Sequence, residues 1–78
     1  MDDILKKFGQ RLKELRKSKG LTQKEMANLM DMTDRNYQRF EYGTINVPAT
    51  PLCFLADFFG VTTDYLLGRG KADPEEGV

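Results

Sequence analysis

The stretch from Thr22 to Gly43, TQKEMANLMDMTDRNYQRFEYG, restricts this chain to few folds. Two short amphipathic segments lie in it with only Asp31 and Met32 between them, and each opens on a threonine where a helix start needs an acceptor. Thr22 with Glu25 three residues on spells a capping box, and Leu21 and Met26 occupy the two positions of a hydrophobic staple. Thr33 is placed to cap the next segment, with Met32 and Tyr37 where its staple falls. Two helices joined this tightly cannot lie parallel, so they should cross steeply. The second then turns Tyr37 and Phe40 inward and carries Asp34, Arg35, Gln38 and Arg39 on the side away from them.

The remaining elements read off the same kind of signal. Residues 2 to 19 predict a first helix, in which Ile4, Phe8, Leu12 and Leu15 share one face. Asp2 and Asp3 suit its first turn, Lys17 and Lys19 its last, and Gly20 its stop. Lys6, Lys7, Lys13 and Lys17 read either as a solvated face or as a contact with DNA. Arg16 lies near the apolar stripe, where an unpaired guanidinium is costly, and Glu41 is the candidate partner. The second helix is expected from Gln23 to Met30, burying Met26, Ala27 and Met30. Leu29 points elsewhere, either as a lone exposed leucine or as part of a contact with another chain. The third runs from Asp34 to Tyr42 and stops at Gly43, with Tyr37, Phe40 and Glu41 inward. Thr50 is placed to cap a fourth helix with Pro51 at its first position, and PLCFLADFF then offers Leu52, Leu55, Ala56 and Phe59 to the core. Phe54 and Phe58 form an i, i+4 aromatic pair that either widens a small core or marks a subunit interface. Thr62 caps a last short helix, whose Leu66 and Leu67 close the globule. From Arg69 to Val78 nothing is available to bury, and disorder is expected.

Composition matters mainly for what it removes. A length of 78 residues suits one domain, and no apolar run approaches the roughly 20 residues that span a bilayer. The first residues, MDDILKK, contain no signal-peptide core, so a cytoplasmic location without membrane attachment is expected. With no histidine and the single cysteine Cys53, the chain offers no ordinary zinc site, and nothing in it calls for a cofactor. It also lacks a nucleophile beside a base, so an enzyme is not expected. Net charge is zero, yet residues 1–40 hold ten Lys or Arg against six Asp or Glu, while residues 41–78 hold two against six. The basic half, at +4, contains the paired helices, so a densely anionic partner can be attracted to one face of a neutral molecule.

Three segments, RLKELRKSKGLTQKEMANLM at 11–30, FEYG at 40–43 and LADFFGVTTDYLLG at 55–68, resemble the Xre or Cro/CI type of helix-turn-helix repressor. The combination of Leu21-Thr22-Gln23, Ala27, Arg16 with Glu41, and Asp64-Tyr65-Leu66-Leu67-Gly68 carries the resemblance. It implies an all-α, lambda repressor-like fold: a compact five-helix bundle that places its third helix in the major groove of double-stranded operator DNA, as a homodimer on two half-sites. In a bacterial cell that location is the nucleoid. The family's base-reading positions fall here on Asp34, Arg35 and Arg39, with Gln38 beside them. Gln23 matches the residue that grips a phosphate, and Thr22, Lys24 and Asn36 join it in the phosphate-contacting set.

The chemistry of these side chains is compatible with those roles. Arg35 and Arg39 lie four apart, and each guanidinium either reads guanine O6 and N7 or holds a phosphate. Asp34 either accepts from a cytosine amino group or simply assists the helix start. The chain departs from the family in Asp31, where glycine is preferred, in Tyr37, where an aliphatic side chain is usual, and in the loop Thr44–Ala49, which has no basic residue. The last departure, Asp34 and the zero net charge keep a second class open: an interaction module, such as an antirepressor or adaptor, that retains the fold without DNA. No small-molecule ligand is indicated in either case. The length also leaves no room within these residues for an added sensor domain.

Overall fold

Helix starts in this chain are set by side chains that supply the acceptors missing from a first turn, and three of the four described inter-helix junctions use a threonine for it. The computed structural model describes residues 3–69. In it α1 spans Asp3–Ser18, α2 Gln23–Leu29, α3 Asp34–Tyr42, α4 Ala49–Phe59 and α5 Thr63–Leu67, and no strand occurs among the described residues. The expected all-α five-helix arrangement is therefore what the chain forms. Asp2 lies outside the described residues, as does all of the expected disordered tail except Arg69.

Thr22 accepts from the Glu25 backbone N–H at 3.0 Å, and the Glu25 carboxylate accepts from the Thr22 N–H at 2.8 Å, which completes the box. Thr33 Oγ1 accepts from Asn36 N–H at 3.1 Å and Thr62 Oγ1 from Tyr65 N–H at 2.9 Å. The α2–α3 turn is made at Asp31, whose φ of 57° is left-handed. That conformation costs a non-glycine residue about 1 kcal/mol. Hydrogen bonds from Asp31 N–H to Asn28 and from Met32 N–H to Ala27 hold the turn closed and offset it.

Three boundaries differ from expectation. Helix α1 ends at Ser18, with Lys19 already in the turn before Gly20. Met30 is the C-terminal cap of α2 rather than its last residue. Helix α4 begins at Ala49, with Pro48 in the capping position and no side-chain cap, so Thr50 is inside the helix and Pro51 is its third residue. Proline is tolerated there because none of the first N–H groups of a helix has an intrahelical partner. The first bond of α4 runs from Leu52 N–H to the Pro48 carbonyl.

The core consists of Phe8, Leu12, Met26, Ala27, Tyr37, Phe40, Leu55, Ala56 and Leu66. Helix α3 packs on α1 and α2, α1 also packs on α5, and α5 on α4. Phe40 meets Phe8 and Tyr37 edge-on, at centroid distances of 6.3 and 6.4 Å. Several expected core residues are less buried. Ile4 is 39% exposed at the end of the bundle, and Leu15, Met30, Leu52, Phe59 and Leu67 are half-buried against the cluster, because so small a core closes over fewer side chains than the apolar stripes offer.

The closest approach in the bundle is at Gly9, in the middle of α1. A Cβ there would fall 2.8 Å from the Phe40 carbonyl oxygen, and nearer still to that of Glu41. Gly43, at φ 72°, closes the same contact from the other side, since a Cβ on it would lie 2.9 Å from the Leu5 carbonyl oxygen. These two glycines let α1 and the end of α3 approach backbone against backbone.

Candidate nucleic-acid interface

What aims α3 is a buried polar cluster at its back. Glu41 is 8% exposed and its carboxylate accepts four hydrogen bonds: from Arg16 Nε at 2.6 Å, Arg16 Nη2 at 3.1 Å, Tyr37 Oη at 2.6 Å and Gln23 Nε2 at 3.0 Å. Arg16 Nη1 donates to the Leu21 carbonyl at 2.8 Å. The expected Arg16–Glu41 ion pair is present, and no buried polar side-chain atom among the described residues is left without a partner. Burial would raise the Glu41 carboxyl, but the hydrogen bonds from Arg16, Tyr37 and Gln23 outweigh it and hold the group below its ordinary value of 4.5. Arg16 is raised by its bond to Glu41, against the opposing effect of burial. Tyr37 is pushed up first by burial, then by its hydrogen bond to Glu41. The tyrosine that stands where an aliphatic residue is usual thus has its hydroxyl satisfied by the same carboxylate.

The cluster ties α1, the start of α2 and the end of α3 to one point, so the opposite side of α3 is presented outward without freedom to roll. Asp34, Arg35 and Arg39 are exposed there and Gln38 is half-exposed. Among the described residues neither Arg35 nor Arg39 makes an ion pair or a side-chain hydrogen bond, which leaves both forks open to a partner. Asn36 is exposed on the flank next to Arg39.

At the start of α2 the structure divides the expected phosphate-contacting set. The Thr22 N–H and one lone pair of its hydroxyl are committed to the cap, so the hydroxyl hydrogen is the donor that remains for a phosphate. Gln23 gives one amide hydrogen to Glu41 and keeps its second. Lys24 is exposed.

Tyr42 is the residue that sequence reasoning passed over. It is 60% exposed and falls seven residues after Arg35, hence in line with it on the outward face. The seven-residue spacing from Arg35 is the sequence signal that points to it.

A second surface brings together Leu29 and Phe54, 51% and 37% exposed, across a groove that Met30, Met32 and Pro51 also line. Phe58 stacks on Phe54 with centroids 5.8 Å apart, and it also packs against the core, which answers the question of its role in part. No group of three or more His, Cys, Asp or Glu among the described residues could hold a metal ion. Nor is any described helix long and apolar enough to cross a membrane.

The family model described as Helix-turn-helix matches residues 12–66. The HTH-type transcriptional regulator YonR, derived from the SPbeta prophage of Bacillus subtilis, is 40% identical over 60 residues, which cover 77% of this chain and 56% of that protein. The HTH-type transcriptional regulator ImmR of the same organism is 38% identical over 64 residues, 82% of this chain and 50% of its own length. AnsR, a third B. subtilis HTH-type transcriptional regulator, is 39% identical over 61 residues, 78% and 53% respectively. The chain thus spans little more than half the length of these relatives.

Proposed function

This chain belongs to the Xre or Cro/CI type of helix-turn-helix transcriptional regulators, a family of DNA-binding proteins rather than enzymes, and from that premise we propose that it is a repressor that occupies operator DNA as a homodimer. In this reading α3 enters the major groove, and Arg35 and Arg39 each present a fork to guanine O6 and N7. Gln38 and Asp34 reach neighbouring base edges, Asp34 as an acceptor for a cytosine amino group. Gln23, the Thr22 hydroxyl, Lys24 and Asn36 hold phosphates on either side, and set the register without reading sequence. The observation that carries the reading is the pair of unengaged guanidinium groups on the outward side of a helix whose inward side is fully satisfied.

Fluorescence anisotropy with duplex from upstream of the gene tests it. Arg35→Ala and Arg39→Ala should each weaken specific binding by about 1 to 3 kcal/mol, roughly 5- to 150-fold, and relax the preference at one base pair. Both residues are exposed, so the melting temperature should not move. No binding at low salt, or binding indifferent to both changes, would favour an interaction module that has kept the fold without DNA.

For the homodimer, the groove of Leu29 and Phe54, with Phe58 stacked behind Phe54, is the proposed interface, since Leu29 and Phe54 are exposed apolar side chains outside the core. Because Phe58 also supports the core, the cleaner test leaves it in place. Leu29→Ser with Phe54→Ser should shift the sedimentation of the protein toward monomer and leave its helical content unchanged. An unaltered distribution would place the interface elsewhere.

A further inference from the structure

From sequence alone, the lysines of α1 are either a solvated face or a contact with DNA. The fold gives three of them a neighbour that changes their meaning. Lys6, Lys13 and Lys17, with Gln10, follow one another at helical spacing along a single stripe of α1, and this stripe is one wall of an open groove whose other wall is the end of α3 at Tyr42. Tyr42 is in line with Arg35, so the lysine stripe is continuous with the outward face of α3. Two acids also line the groove. Glu41 is neutralised by Arg16, which leaves Glu14 against three ammonium groups.

We propose that this groove is an additional DNA-backbone contact, in which Lys6, Lys13 and Lys17 neutralise phosphates flanking the base pairs under α3, with the Gln10 amide and Tyr42 hydroxyl as uncharged donors between them. The proposal rests on the DNA-binding reading above. A duplex fits because the groove is open along its length: Lys6 to Lys17 extends about 16 Å along the helix axis, and B-DNA carries one charge per about 1.7 Å. A small anion could engage at most a neighbouring pair such as Lys13 and Lys17, and would leave the rest of the stripe unused. The assignment also accounts for an otherwise puzzling composition. The loop Thr44–Ala49 has no basic residue with which to hold a backbone, and α1 supplies that charge from the adjoining side of α3.

The test is the salt dependence of binding. Lys6→Gln, Lys13→Gln and Lys17→Gln combined should lower the slope of log K against log salt by about 0.9 per lysine, so by about 2.7. The drop should be the same on operator and on scrambled duplex, so that the preference between them is kept. The triple replacement by arginine should restore the wild-type slope, and all these side chains are exposed, so circular-dichroism melts should coincide. A slope unchanged while the wild type binds DNA would overturn the groove assignment alone. Loss of the operator preference in the glutamine variant would overturn it too, by placing the lysines at bases. If the wild type binds no duplex at low salt, the groove assignment falls together with the reading beneath it.

Discussion

Replacing Glu41 with alanine is expected to lower the free energy of unfolding by about 3 to 5 kcal/mol, the loss found when one partner of a buried ion pair is removed. The size follows from what is stranded. Arg16, 7% exposed, would keep its charge and lose two hydrogen bonds, and the buried Tyr37 hydroxyl would lose its acceptor. For a domain of this length the loss approaches the total stability, so the variant should be largely unfolded at 37 °C. Urea denaturation monitored by circular dichroism would measure it. Replacing Arg16 by Met and Glu41 by Leu together should cost distinctly less than Glu41→Ala alone, since no charge is then left buried without a partner. Equal losses in the two proteins would show that volume, not charge, governs the site.

The same carboxylate predicts an acid limit. Its pKa is held below the ordinary 4.5 in the folded state, so its contribution is fully present above that value and is lost as the pH falls through the folded pKa. The melting temperature should therefore decline below about pH 4.5. In Glu41→Gln that part of the decline should be missing, from a lower starting stability. Tyr37 sets the opposite limit. Its pKa is raised above 10.0, so the unfolded chain ionises first and stability should fall as the pH rises past that value. Melting curves of Tyr37→Phe, which cannot ionise, would separate the two ends.

The second large effect is expected at Gly9. Alanine is the better helix former by about 1 kcal/mol, so propensity alone predicts that Gly9→Ala stabilises α1. The structure predicts the reverse. The new methyl would sit against the carbonyl oxygens of Phe40 and Glu41, and main-chain atoms inside a helix cannot swing aside as a flexible side chain can. Helices α1 and α3 would have to separate, stretching the Arg16–Glu41 bonds and the edge contact of Phe8 with Phe40. Overpacking of this kind costs about 1 to 3 kcal/mol, and the upper end applies where both obstacles are backbone. Because the shift also tilts α3 relative to α1, affinity for DNA should fall along with the urea midpoint. A midpoint at or above that of the wild type would show that α1 has room to spare at this point.

Much of this molecule was legible before any coordinates. The starts of α2, α3 and α5, the outward placement of Arg35 and Arg39, and the pairing of Arg16 with Glu41 all agree with the sequence reading. These succeed because capping and helical periodicity act within a few residues. A threonine and the N–H three positions on determine their own geometry, whatever surrounds them. The start of α4 was missed for the corresponding reason. Thr50-Pro51 is a good local signal, but Ala49 is a strong helix former and Pro48 already stands in an extended conformation ahead of it, and the longer helix won.

Other features depended on elements far apart in the chain. That one carboxylate would gather Gln23 and Tyr37 as well as Arg16, that Leu29 would face Phe54, and that Tyr42 would join the α1 lysines to the face of α3 are all consequences of how finished helices stack. Gly9 is the plainest instance: in the sequence it looks like a weak point in a helix, and only the distance to the α3 backbone reveals it as the contact that lets the two helices meet. Short-range hydrogen bonding thus determined the pieces and their faces. Which faces met, and what they could then hold, was decided by packing, because close approach depends on atoms that the chain brings together only after the helices exist.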